Sequence, residues 1–388
     1  MRNGAGRDSS RGRRAGLLAG RDKMVAMVAR RSFLAALTGA AYAADAHSAP
    51  SVRQRFLDGA TEFEFQRYTE PAVSSTLPRT NAITFSRRGR FLLYASDRAG
   101  AVHAWAMDLK SSEHKQLSEG AALDALSLTL TVDERNFLYT SEGKLWMSPA
   151  SGLRPRALWT SEAGFCAGAG VAAIADGPSA IVIEQTERGS VARRIPLAKG
   201  TAAVLAEFPV KVMDPMPRPR RASLALRDGD GGLWLALFDG SRPRKLKTEA
   251  GRVLAAEWSR DGRTLVYLND PMTEGKANQL RELNPDTGED SLLASTSQFA
   301  SFSSNTDGSV IVGASRSKAQ PFVLLLVRSV KRELTICEHK AREAASVGPR
   351  FTPDSQRIYF QSDREGKPVL YGMAVDKLVE KTENEEEP

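Results

Sequence analysis

The chain has 388 residues, 41% hydrophobic and 26% charged, with 31 Gly and 19 Pro. That is ample apolar material for a core and too little net charge for a disordered polymer, and the ordinary Gly and Pro content excludes a collagen-like chain. The formal charge of +8 invites a nucleic-acid reading, but residues 1–43 hold nine Arg and Lys against Asp8 and Asp22, which leaves a surplus of one for all the rest. Binding to nucleic acid needs clustered cations to neutralise phosphates, so no nucleic-acid partner is expected once that segment is gone.

Residues 1–43 read as an export leader. Ala29-Arg30-Arg31-Ser32-Phe33-Leu34 followed by the small-residue stretch from Ala35 to Ala43 resembles a twin-arginine signal, and Ala41-Tyr42-Ala43 offers the small residues a signal peptidase accepts. The alternative is a buried helix from Phe33 to Ala43; a start at Met24 or Met27 would shorten the leader. The mature protein is expected in the periplasm or outside the cell, with no membrane span, because no further apolar run approaches roughly 18 residues. Residues 44–61 read as a linker. An oxidising compartment permits a bridge between Cys166 and Cys337, with two separate buried thiols as the alternative. Their spacing matches no zinc motif, so no metal site is predicted from cysteine.

Residues 62–378 are built on a repeat. Phe85-Ser86-Arg87-Arg88-Gly89-Arg90-Phe91-Leu92-Leu93-Tyr94, Trp258-Ser259-Arg260-Asp261-Gly262-Arg263-Thr264-Leu265-Val266-Tyr267 and Phe351-Thr352-Pro353-Asp354-Ser355-Gln356-Arg357-Ile358-Tyr359-Phe360 are copies of one unit, with weaker copies from Leu130 and Phe302. The gap between Leu130 and Trp258 has room for two more, expected near Ile174, with a turn at Asp176-Gly177, and near Met216. Each unit reads as an aromatic-led strand, a turn, an alternating strand and two further strands. Seven such units predict an all-β fold, a seven-bladed β-propeller of four-stranded blades, whose radial closure protects the sheet edges. Phe63 to Tyr68 is expected to supply the outer strand of the final blade and so to close the ring.

Phe351-Thr352-Pro353-Asp354 through Ser362-Asp363-Arg364-Glu365-Gly366 is similar to the propeller repeat of the TolB family. A closer resemblance is to the oligogalacturonate lyases, carried by Arg67-Tyr68-Thr69, the stretch from Phe85 to Gly100, Gln116-Leu117-Ser118-Glu119-Gly120, and Leu128-Thr129-Leu130 through Trp146. That resemblance implies a seven-bladed propeller and β-elimination on a uronate oligosaccharide, with a divalent cation held by channel histidines acidifying the carbon-bound proton. Part of that metal site is a His-Pro-His-Pro pattern just before the last Phe-Thr-Pro-Asp. Here the stretch reads Ser346-Val347-Gly348-Pro349-Arg350-Phe351, and no histidine stands between His114 and His339. The metal site implied by the family therefore looks lost, and neither metal nor cofactor is expected.

The histidines are His47, His103, His114 and His339; none shows the i, i+2 or i, i+4 spacing that holds an ion on one element. No Gly-x-Ser-x-Gly elbow supports a serine nucleophile. Asp97-Arg98 and Asp363-Arg364 recur at one place in the repeat, which suits turn capping. Pro215-Met216-Pro217-Arg218-Pro219-Arg220-Arg221 is the densest cationic stretch of the mature chain. Arg218, Arg220 and Arg221 are thus the candidate binding residues for an anionic glycan or acidic protein, with a solvated connector as the alternative. The tail at 379–388 is acidic and expected to be disordered. Two functions follow. With its family ligands missing, the chain reads first as an exported, non-catalytic scaffold binding a periplasmic protein or anionic glycan, and second as a lyase with a rebuilt site. Arg, Lys or Tyr converging in the channel would favour the lyase; an apolar or filled channel would favour the scaffold.

Overall fold

The computed structural model describes residues 48–378 apart from 153, 162–169, 175–177, 199 and 297. The leader, the turn at Asp176-Gly177, Cys166 and the acidic tail thus lie outside the described residues. The chain divides into two units, 1–49 and 50–388; in the first, Ser48–Ala49 is a short extended pair.

Within 50–388 seven antiparallel sheets form the blades of a propeller. Their innermost strands are Ser75–Thr76, Thr129–Leu130, Val171–Ile174, Val212–Pro217, Arg252–Trp258, Phe299–Ser304 and Arg350–Phe351, in blades one to seven. The two units expected near Ile174 and Met216 are blades three and four. No helix among the described residues is long and apolar enough to cross a membrane.

Local chemistry explains the repeat. After the first strand a Ser, Thr or Asn side chain accepts the N–H five residues on: Ser86 from Phe91, Thr131 from Asn136, Ser259 from Thr264, Asn305 from Val310 and Thr352 from Arg357, at 3.0–3.2 Å. The Asp two residues later in four of these turns accepts a backbone N–H in turn, as Asp261 does from Arg263 at 3.0 Å and Asp354 from Gln356 at 3.1 Å. These bonds mimic a backbone turn and fix the hairpin register. At Gly262, where φ is +70°, a Cβ would meet the Pro219 carbonyl oxygen at 2.2 Å, so only glycine fits.

The ring closes as expected. Glu64–Arg67 pairs with Val369–Ala374 of blade seven, Gln66 opposite Gly372 and Arg67 opposite Tyr371. The linker reading of 44–61 needs correction, because Gln54–Leu57 adds a fifth strand outside Glu64–Arg67. Phe56 stacks on Phe65 at 5.5 Å, which gives that strand an apolar anchor the sequence reading overlooked. The core lies between neighbouring blades rather than at one centre. Leu93, Leu130, Phe137 and Tyr139 pack blades one and two together, and Val312, Leu325, Ile358 and Tyr371 pack blades six and seven.

Candidate functional site

The innermost strand of blade one is broken. Ser75–Thr76 pairs with Ala95 and Ser96, Phe85 pairs with Leu92, and the residues between leave the sheet. Pro78 has no N–H to give to a ladder, which favours such a departure. The Leu77 N–H instead donates to Gln361 Oε1 of blade seven at 2.5 Å, and a turn returns the chain through Ala82 N to Arg79 O at 3.0 Å.

Blade four answers with its own irregularity. The register of Val212–Pro217 slips between Met213 and Met216, and Asp214 takes φ +57°. A bulge of this kind re-aims a side chain out of the strand's regular alternation. Asp214 there ion-pairs with Arg79 of blade one and with Arg227 of its own blade, the latter at 2.8 and 3.0 Å. Asn81 Nδ2 donates to the Pro215 carbonyl at 3.4 Å.

These residues line a cavity of about 520 Å³ at the inner wall of the ring. Other contributions come from Leu254, Ala255 and Ala256 of blade five, Ala300 and Ser301 of blade six, and Glu343, Ser346, Gly348, Arg350 and Gln361 of blade seven. Three guanidinium groups, of Arg79, Arg227 and Arg350, thus meet two carboxylates, of Asp214 and the exposed Glu343. Much of the wall is apolar, with Leu77, Leu126, Met216 and Leu254 among its side chains, and the charged groups are set into it with three cations against two anions. The arginines that converge here are the feature expected of the lyase reading.

Arg350 is the unusual member. It is 5% exposed, and its bonds run to neutral oxygens: Nη2 to Pro78 O at 2.8 Å, Nε to Gly348 O at 3.2 Å, and Nη1 to Thr84 Oγ1 at 3.3 Å and Arg79 O at 3.4 Å. No carboxylate among the described residues pairs with it, and burial pulls its pKa down to about 9. Arg79 Nε is also buried without a hydrogen-bond partner among the described residues.

The sequence-predicted candidates lie elsewhere. Arg218, Arg220 and Arg221 follow the end of the innermost strand of blade four, and none lines the cavity. Arg218 is a correction: it is 5% exposed, bidentate to Asp286 at 2.6 and 2.8 Å, donates to Gly262 O at 2.6 Å, and lies 4.9 Å from the Trp258 ring. It is a strut between blades four and five, closed to a ligand. Arg220 and Arg221 are exposed; Arg221 approaches the same Asp286 at 3.8 Å. The side chains of Asp97 and Asp363 reach beyond their own turns, accepting the N–H of Ser74 at 2.7 Å and of Arg342 at 2.9 Å, so these bonds tie distant segments together rather than cap the turn. The cavity arginines were missed because each stands alone in the sequence. The available signal was Pro78, which lacks an N–H and stands just ahead of the first repeat copy at Phe85.

The chain matches no protein-family model. It is 27% identical to the oligogalacturonide lyase of Pectobacterium atrosepticum over 165 residues and to the oligogalacturonate lyase of Dickeya dadantii over 166, in each case 37% of this chain and 42% of that protein. The chain therefore matches less than half the length of these relatives. Among solved structures, an oligogalacturonate lyase in complex with manganese superposes with a TM-score of 0.75 at 24% identity, covering 84% of this chain and 97% of that one. The oligogalacturonate lyase of Vibrio parahaemolyticus gives 0.74 at 21%, covering 84% and 98%. This chain has a propeller fold similar to that of oligogalacturonate lyases. At these identities the superpositions speak to the fold, which is shared over 84% of this chain and nearly the whole of those structures.

The described residues of the cavity offer no set of ligands that fits a divalent cation. The two positions that the family resemblance gives to histidine are Ser346 and Gly348, both in the cavity wall, and neither offers an imidazole. His103, His114 and His339 lie outside the lining. His114 bonds Tyr94 Oη at 2.9 Å and Tyr68 O at 3.0 Å; His339 bonds Ser315 O at 2.8 Å and the N–H of Ala341 at 3.0 Å. Among the described residues no three His, Cys, Asp or Glu side chains converge.

Proposed function

We propose that the cavity binds an acidic sugar of a uronate oligosaccharide and promotes β-elimination, in the manner of an oligogalacturonate lyase with a rebuilt site. The observation that carries this is the convergence of Arg79, Arg227 and Arg350 on one cavity. The sequence and fold likeness to oligogalacturonate lyases supports it over the scaffold reading, which is set aside.

In such a reaction a base takes the proton on the carbon next to the carboxylate. The electron pair left behind forms the carbon–carbon double bond, the β carbon–oxygen bond breaks, and the departing sugar oxygen acquires a proton. The negative charge that builds on the carboxylate is the barrier, and fixed guanidinium donors lower it because they need no reorganisation as charge develops. Their planar forks match a carboxylate better than an ammonium would.

The test is to incubate the protein with oligogalacturonates and follow the ultraviolet absorbance of the unsaturated product. Product formation that Arg227→Ala suppresses at least about tenfold is expected; no product from folded protein overturns the reading. The proposal includes export through the leader at 1–43, as suits an enzyme acting on oligosaccharides outside the cytoplasm. Fractionating cells that express the full chain, with Arg30 and Arg31 intact or replaced by Lys, tests that part. Cytoplasmic retention of the intact chain would refute it.

A further inference from the structure

The loop that leads into the last blade holds two features that depend on one another. Gly348 adopts φ +51°, a conformation that side-chain-bearing residues rarely take, and a Cβ built there would lie 3.3 Å from Arg350 Nη2. A histidine at 348 would therefore be strained in its backbone and would crowd the guanidinium. A side chain at 348 would press on the Arg350 guanidinium by a few tenths of an ångström, whereas glycine leaves it room.

A guanidinium buried to this degree normally sits against a carboxylate, since an isolated buried charge is costly. The four recorded bonds of Arg350 all go to neutral oxygens and account for four of its five N–H groups, leaving one Nη2 hydrogen. The neighbouring Arg79 Nε is a second buried donor with no partner among the described residues. Asp214 is already engaged by Arg79 and Arg227. What this side of the cavity lacks is an anion.

We infer that Arg350 supplies the positive charge that a divalent cation supplies in the manganese-bound lyase fold, so that the cavity binds the carboxylate of an acidic sugar without a metal ion. This deepens the uronate reading above and rests on it. The attraction is strong because it acts across a poorly hydrated wall, and the directionality comes from a planar donor against a planar acceptor.

The experiment uses the full chain after EDTA treatment, with metal content measured by mass spectrometry and binding by calorimetry. The probes are manganese alone, trigalacturonate, fully methyl-esterified trigalacturonate, and glucuronate and mannuronate oligomers. No stoichiometric manganese uptake is expected, and trigalacturonate affinity should change by less than about twofold when manganese is added. Esterification and Arg350→Gln should each weaken binding by about tenfold or more, the size expected for losing one charge-assisted contact, with Arg350→Lys in between. Sugar binding that requires manganese, or a folded Arg350→Gln protein with unchanged affinity, overturns the inference. If Arg350→Gln fails to fold, Arg350→Lys and the metal measurements decide. Binding of a glucuronate or mannuronate oligomer but not of trigalacturonate, with the same dependence on Arg350 and indifference to metal, sustains the inference while removing the galacturonate reading. Failure of every acidic sugar removes both.

Discussion

Arg79, on the loop that interrupts the innermost strand of blade one, is ion-paired with Asp214 on the innermost strand of blade four. The pair ties together blades that are not neighbours in the ring. Arg227 shares the same carboxylate, so removing that one anion leaves two partly buried cations facing each other.

Asp214→Asn tests this arrangement. Asparagine tolerates the left-handed backbone at 214, so the variant isolates the charge. Loss of two charge-assisted contacts is expected to cost about 2 kcal/mol, read as a lower urea midpoint with an unchanged slope. An unchanged midpoint would show that the pair contributes nothing to the fold.

Closure of the ring depends on Phe65. It is 3% exposed, stacked on Phe56, 6.0 Å from the Tyr371 ring and covered by Arg364 at 5.1 Å. Phe65→Ala should cost about 3–4 kcal/mol, in the range for truncating a buried aromatic ring. Hydrogen exchange should place the earliest opening at Val369–Ala374. Uniform loss of protection in every blade would contradict a localised closure.

Buried His114 and half-buried Glu257 set opposite pH dependences. Burial, with the Arg98 charge beside it, lowers the His114 pKa from 6.5 to about 4. The unfolded chain then binds a proton that the folded one refuses, so the stability linked to His114 is present above about pH 6.5 and is lost as pH falls toward 4. Glu257, which accepts the Ser304 N–H at 2.8 Å one residue beyond the cavity-lining Ala256, is pushed by burial from 4.5 to about 7. Its folded form keeps the proton longer, so stability falls as pH rises from about 4.5 to 7. Melting curves across pH 4 to 8 should lose the first slope in His114→Gln and the second in Glu257→Gln. Curves parallel to the parent's would refute these assignments.

The basic stretch separates into a strut and a surface. The Arg218 guanidinium holds the Asp286 carboxyl below its usual range, and Arg218→Ala should cost about 2 kcal/mol through lost charge-assisted bonds. Arg220→Ala should stay within about 0.5 kcal/mol, as for other exposed substitutions. Neither should alter acidic-sugar affinity in calorimetry once the protein is folded. Weaker sugar binding by Arg220→Ala would restore that stretch as a binding site.

Much of the architecture was legible in the chain because its causes are local. The acceptor side chains at Ser86, Thr131, Ser259, Asn305 and Thr352 act within five residues, so they mark five of the seven blades, and the spacing between them left room for blades three and four. The closing strand at Glu64–Arg67 was readable for the same reason: its alternation is its own. The fifth strand at Gln54–Leu57 was not, since its anchor is the ring of Phe65 on another strand. The cavity lay further out of reach. Arg79, Arg227 and Arg350 come from three different blades, and nothing near any of them in sequence marks it as facing the others. Clustered charge at Arg218, Arg220 and Arg221 drew attention instead, but density along the chain is not exposure, and Arg218 is buried against Asp286. A propeller sends the innermost strand of every blade to one axis, so residues far apart in sequence meet there, and only the closed ring decides which of them do.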